Sequence, residues 1–158
     1  MEPILKNEKD AHQDSRVFSI PVHINYEDTD AGGVVYYGNY LGYMERARNA
    51  YLRQHGFPLS LLARDYKIIF VVTDVSIKYL FPARLDDELQ VTLEIQKMGA
   101  ATVMFVHEVL KKGKCLVQAS VNLATINSET FKPCRIPKNI RSCLDTARCD
   151  PVSVPEIQ

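Results

Sequence analysis

The chain has no uninterrupted apolar run much longer than a strand, whereas a membrane-spanning helix needs about 20 apolar residues, so no membrane span is expected. Its first 15 residues, MEPILKNEKDAHQDS, have no apolar central segment among their charges, which argues against a secretory signal peptide. Charge of one sign is not in excess either. Lys plus Arg number 19 and Asp plus Glu number 19, for a formal net charge of +0. A nucleic-acid-binding surface would need a basic excess or stripe, so no nucleic-acid partner is expected. Cysteine is sparse: Cys115, Cys134, Cys143 and Cys149 show neither C-x-x-C pairing nor metal-ligand spacing. Reduced thiols in a cytoplasmic protein, and no metal site, are the expectation. No internal repeat and no low-complexity tract is present, and 158 residues suit a single domain.

What is present is one strand, one strong helix and then four more strands. Phe18, Ile20, Val22, Ile24 and Tyr26 recur with period two, the mark of a half-buried strand. Pro21 lacks an N–H and places this strand at an edge or at a bulge. A helix is expected from Asn39, as N-cap, to a stop at Gly56, with Pro58 just beyond. Tyr40, Leu41, Tyr43, Met44, Ala47, Ala50 and Tyr51 give it an apolar face wide enough for burial on more than one side. Further strands follow. Val71, Val75, Ile77 and Tyr79 are expected on one face, then Leu89, Val91, Leu93 and Ile95, and then Val117, Ala119, Val121 and Leu123. Residues 102–110 are apolar on both faces, which calls for cover from outside the single-chain core. Lys111–Lys114 reads as a charged hairpin turn, and the proline-bearing tail as irregular. Antiparallel strands without intervening helices, plus one long helix, define an α+β protein whose sheet wraps the helix.

The chemistry concentrates in YEDTDAGGVVYYGNY, residues 26–40, where Glu27, Asp28 and Asp30 precede Gly32 and Gly33 just ahead of the helix. A calcium loop fails, because its fifth and twelfth positions would be Gly32 and Asn39. Phosphate binding fails as well, for want of a glycine motif and because the carboxylates would repel the anion. Two alternatives stay open from the residues alone. One is an acidic solvated turn. The other is a catalytic carboxylate beside the unsatisfied N–H groups of a helix N-terminus, where an oxyanion can be held and water directed. Neither a Ser-His-Asp nor a Cys-His arrangement is evident. His12, His23, His55 and His107 are spread over a tail, a strand, a helix end and another strand.

Y-E-D-T-D-A-G-G-V-V-Y-x-x-x-Y from Tyr26, M-E-R-A-R from Met44, and F-V-V…Y-x-x-P-A-R-L-D-D-x-L from Phe70 to Leu89 together resemble the YbgC-like, 4-hydroxybenzoyl-CoA thioesterase family. The resemblance runs from about Val17 to Pro137. It implies the hot-dog fold, an antiparallel sheet around one long central helix, and hydrolysis of acyl-CoA to free acid and CoA. By the same resemblance Asp30 is the nucleophile or general base, and the Tyr37 N–H donates to the thioester carbonyl. Tyr26 and Asp28 orient the loop, while Gly32 and Gly33 let the substrate approach. Arg84, with Lys111, Lys112 and Lys114, would meet the CoA nucleotide. Many relatives of this branch carry His where Tyr37 stands, and YYGNY is nearer the aryl-CoA branch at that point. No cofactor is implied beyond the CoA of the substrate. The implied partners are a second copy in a dimer or tetramer and, in bacteria, the Tol–Pal envelope system or phospholipid synthesis. The expected organisation is a flexible arm at 1–15, a hot-dog domain at 16–138 and an irregular tail at 139–158. Competing functions are a non-catalytic acyl-thioester binding module or envelope-complex adaptor, which would need no Asp30, and a hydratase, which would want an Asp-His pair in one loop.

Overall fold

A computed structural model describes residues 17–149. The expected arm at 1–15 and the end of the tail lie outside them. Strand β1 (Phe18–His23) leads through a single 3-10 turn, Tyr26–Asp28, and an extended loop into helix α1 (Asn39–Gln54). A short α2 (Leu59–Leu61), continued by a π-helical turn at Leu62–Tyr66, connects to β2 (Ile68–Tyr79), β3 (Glu88–Met98), β4 (Thr102–Lys111), β5 (Lys114–Asn127) and α3 (Lys138–Asp145). The strands form one antiparallel sheet in the order β1-β3-β4-β5-β2, an α+β hot-dog arrangement with α1 against the inner face.

The alternating positions define that inner face. Leu89, Val91, Leu93 and Ile95 of β3 are buried together with Val103, Phe105 and Val109 of β4 and Val117, Ala119, Val121 and Leu123 of β5. Onto them α1 lays Tyr40, Tyr43, Met44, Ala47, Tyr51 and Leu52. Each large apolar side chain so enclosed stabilises the fold by roughly 1.5–3 kcal/mol relative to exposure. Pro21 lies on edge strand β1, opposite Gln90, where a missing N–H costs no ladder bond toward solvent. Lys112 and Gly113 both have positive φ, 47° and 77°, as a two-residue hairpin loop requires. Gly56 has φ +88° and closes α1 as expected.

Four expectations are corrected. Strand β1 ends at His23, so Tyr26 lies exposed in the 3-10 turn and does not extend the half-buried strand. Asn39 is the first residue of α1 rather than its cap. Gly38 holds the cap position, and the Asn39 side chain instead reaches back to donate to the Asp28 carbonyl at 2.8 Å. In β2 the register slips between Val72 and Asp74, so Val71, opposite Ala124, lies on the face away from Val75, Ile77 and Tyr79. The extra residue of the bulge, Thr73, inverts the period-two pattern. The tail is not irregular throughout: α3 buries Ile140, Cys143 and Leu144 against the distal core, and Ala147 and Cys149 bond to the Ile95 backbone. The i, i+3, i+4 spacing of those three residues was hidden among prolines. Arg48 and His107 are polar side chains buried in the core. Arg48 of α1 donates from Nη1 to His107 Nε2 on β4 at 3.1 Å, and His107 Nδ1 donates to the Thr92 carbonyl at 2.8 Å. Strand β4 thus buries Val103, Phe105, His107 and Val109 on its inner face, while Met104, Val106 and Leu110 on the outer face are half-exposed.

Burial, and then the Arg48 charge, push His107 down to about 3, so the folded protein holds it neutral at neutral pH. A histidine whose folded pKa lies below its unfolded value contributes its full stability above pH 6.5 and loses it as pH falls from 6.5 toward 3. The stability of wild type relative to His107→Gln should therefore shrink by up to about 1.4 kcal/mol for each pH unit below 6.5, as measured by urea denaturation at several pH values.

Candidate active site

Residues 26–38 cross from β1 to α1, and Asp28 organises them. Its Oδ1 accepts the Tyr43 phenol at 2.6 Å and its Oδ2 the Asn25 backbone N–H at 2.8 Å. Its carbonyl accepts the Tyr36 N–H at 2.9 Å as well as the Asn39 side chain. Burial and the neighbouring carboxylate both raise the Tyr43 phenol pKa, which keeps it a donor. Asp28 is thus a structural loop residue. Tyr26 contributes mainly backbone: its carbonyl accepts from Thr29 N at 3.1 Å and Thr29 Oγ1 at 2.9 Å, while its ring is 82% exposed.

Asp30 stands at the tip. Its N–H donates to the Val34 carbonyl at 2.9 Å and its carbonyl accepts the Gly33 N–H at 3.0 Å, which closes a tight turn. The carboxylate Oδ1 accepts the Gly32 N–H at 2.8 Å and, among the described residues, forms no ion pair. A Cβ at Gly32 would stand 3.1 Å from that Oδ1, and Gly33 has φ +75°. The two glycines therefore serve different needs, one space beside the carboxylate and the other a left-handed backbone.

Beyond the turn, Val34 bridges to Arg84 and the Val35 N–H donates to the Ala83 carbonyl at 2.9 Å, so the PARLDD segment runs alongside the loop. The structure brings Asp30, Gly32, Gly33, Tyr37 and the Arg84 backbone into one surface region. The lysines diverge. Lys111 pairs with Asp87 at 2.7 Å, and Lys114 lies 3.5 Å over the Phe81 ring. Asn39 N–H is taken by the Tyr36 carbonyl at 3.0 Å, but the Tyr37 and Gly38 N–H groups have no backbone acceptor among the described residues. The Tyr37 ring is 63% exposed and packs on Tyr36 and Tyr79. Tyr43 and Tyr79 escaped the sequence reading as site residues. Each looked like one more alternating or helical apolar position, and only the folded contacts show their hydroxyls turned to the loop.

Among the described residues, the histidines are engaged elsewhere. His23 bonds to Glu88 and Asp86, His55 to the Tyr51 carbonyl and His107 to Arg48 and Thr92. Burial pushes the Cys115, Cys134 and Cys143 thiols up, away from thiolate chemistry. What the loop can do is present a carboxylate on the segment that leads into helix-terminal N–H groups without an acceptor among the described residues, the two kinds of group that acyl transfer requires.

A profile of the thioesterase-like superfamily matches residues 24–144, and the chain belongs to that family. It is 39% identical over 125 residues, covering 79% of this chain and 92% of the relative, to the protein named acyl-CoA thioesterase YbgC from Haemophilus influenzae. Among solved structures it is similar to a protein described as a probable thioesterase from Bartonella henselae, at 34% identity and TM-score 0.73, covering 77% of this chain and 99% of that one. It is also similar to the DHNA-CoA thioesterase from Staphylococcus aureus, at 25% identity and TM-score 0.74, covering 82% and 87% of the two chains.

Asp28→Ala should lower the unfolding free energy by about 2 kcal/mol, because it leaves the Tyr43 hydroxyl and the Asn25 N–H without their acceptor. Gly33→Ala should cost about 1–2 kcal/mol through its left-handed backbone. Denaturant titration of both variants measures these effects.

Proposed function

We propose that the protein hydrolyses acyl-CoA thioesters to free acid and CoA at the Asp30 loop. The observation that carries the proposal is an exposed Asp30 carboxylate without an ion pair among the described residues, followed by Tyr37 and Gly38 N–H groups without an acceptor among them at the start of α1. The names of the family and of its relatives support the same chemistry.

The thioester carbonyl oxygen docks against the helix-terminal N–H groups, which favour the negative charge that develops there. With Asp30 as general base, its carboxylate takes a proton from water, and the water oxygen bonds to the carbonyl carbon. The resulting oxyanion collapses and breaks the C–S bond, and the departing CoA thiolate takes the proton back from Asp30. With Asp30 as nucleophile, a carboxylate oxygen attacks the carbon directly, CoA leaves, and water cleaves the acyl-aspartyl anhydride. Either route needs the carboxylate. Tyr37 serves through its backbone N–H, and Arg84 and Lys112 are the candidates to meet the CoA phosphates. The substrate is the sole source of CoA, and no other cofactor takes part.

We further propose that the working unit is a homodimer or a tetramer of such dimers. Edge strand β2 leaves a row of backbone groups open, and Val72, Val75 and Tyr79 on its inner face, with Leu80 and Phe81 just beyond, are exposed. Light scattering at micromolar concentration should give at least the dimer mass. A monomer with full activity would rule out a site shared between subunits.

A panel of acyl-CoA substrates in a free-thiol assay tests the activity. Asp30→Asn should lower kcat by orders of magnitude with folding unchanged, because an amide neither attacks nor deprotonates water. Wild-type activity no higher than that background would leave a binding module as the better reading. Tyr37→Phe should cost far less than the roughly 100-fold typical of a lost oxyanion donor. Tyr37→His should add a pH dependence near the ordinary histidine range, about 6.5, if an imidazole at this position joins the chemistry. A Tyr37→Phe enzyme as inactive as Asp30→Asn would assign the catalytic role to the phenol instead.

A further inference from the structure

The Tyr37 carbonyl stands one residue outside the α1 ladder, whose first acceptor is the Gly38 carbonyl, at 3.3 Å from the Leu41 N–H. Its donor comes from across the sheet. The phenol of Tyr79, the last residue of β2, donates to the Tyr37 oxygen at 2.9 Å. The Tyr79 ring is held edge-on between Tyr37 and Tyr40, with centroids 6.4 Å and 5.7 Å away. Burial, and then the nearby Tyr37, raise its phenol pKa, so the hydroxyl stays protonated and can donate.

A peptide group is planar, and with no cis bond in the described chain its C=O and N–H point to opposite sides. Fixing the Tyr37 oxygen therefore fixes the direction of the Gly38 N–H. A hydrogen bond into the carbonyl also polarises the peptide and makes that N–H a better donor. The preceding peptide is held in the same way, because the Tyr36 carbonyl accepts the Asn39 N–H and so aims the Tyr37 N–H. Gly38 suits this approach: a Cβ there would stand 2.8 Å from the Tyr36 ring, although its φ of −71° is open to any residue. Two consecutive N–H groups thus have their peptides held from behind, through the Tyr36 and Tyr37 carbonyls, and have no acceptor of their own among the described residues.

We propose that Tyr79 is a positioning residue for thioester hydrolysis, its hydroxyl holding the Tyr37–Gly38 peptide so that the Gly38 N–H joins the Tyr37 N–H as a second oxyanion donor. This rests on the thioesterase reading of the site. It concerns neither the acid–base step nor binding of the CoA moiety, and that separates it from a general structural role.

Tyr79→Phe removes the hydroxyl alone and keeps the ring packing. Its kcat should fall about tenfold, a fraction of the 100-fold or more that loss of a whole donor costs, with KM within about twofold of wild type. Thermal midpoint and dimer mass should match wild type, and the Gly38 amide resonance should shift in the 1H–15N spectrum. In the Asp30→Asn background the substitution should add almost nothing, because no strong oxyanion then forms. Wild-type kcat in Tyr79→Phe, with wild type active, would overturn this inference and leave the thioesterase reading intact. A loss of kcat that tracks a drop in thermal midpoint or in oligomer mass would make Tyr79 structural and overturn it too. A wild-type protein that cleaves no acyl-CoA would overturn both.

Discussion

The clamp on the Asp28 carboxylate is the interaction on which the site depends. One oxygen holds the Tyr43 phenol, one full turn inside α1, and the other holds the Asn25 backbone N–H, two residues past the end of β1. The carbonyl of the same residue captures Tyr36 and Asn39 on the far side of the loop. A single residue thus joins the strand, the turn and the first two turns of the helix. Because Tyr43 is buried, its hydroxyl must find an acceptor, and Asp28 is the acceptor the fold supplies. Asp30, two residues further on, inherits a fixed position while remaining exposed.

This division of labour explains why the loop carries so many acids. The Asp28 carboxylate, held by two donors, organises the backbone, whereas the Asp30 carboxylate accepts only from the adjacent Gly32 N–H among the described residues and stays exposed. Gly32 and Gly33 then keep the turn from crowding Asp30. The helix begins without a side-chain cap, since Asn39 is drawn back to Asp28 and Gly38 occupies the cap position. An uncapped helix start is a cost to stability, and here the Tyr37 and Gly38 N–H groups have no acceptor among the described residues.

The second tier of support lies deeper. Arg48 and His107 tie the middle of α1 to β4, with the guanidinium also facing the Phe105 ring at 6.0 Å. This buried polar contact fixes how the helix sits on the sheet, and the neutral state of His107 is part of it. Strand β2 differs in kind. It completes the sheet through β5, yet much of its inner face is exposed, and its end delivers Tyr79 to the helix start. Assembly along this edge would place subunit contact and thioester site side by side.

Much of this was legible in the residues themselves. Period-two alternation located four strands and an apolar run the fifth, a wide apolar stripe located α1, and Pro21 marked an edge. Those features are local: each follows from steric preference and solvent exposure within about ten residues of chain. The bulge at Thr73, the burial of Arg48 and His107, the helix Lys138–Asp145 and the capture of Asn39 by Asp28 were not legible. Each is decided by a partner distant in sequence, Asn122 for the bulged stretch, Thr92 for His107, Tyr51 for α3. The sequence by itself determined that an aspartate would stand before a helix. Tertiary structure alone decided that Asp28 is the aspartate tied to the helix, because that choice depends on a buried tyrosine hydroxyl fifteen residues away.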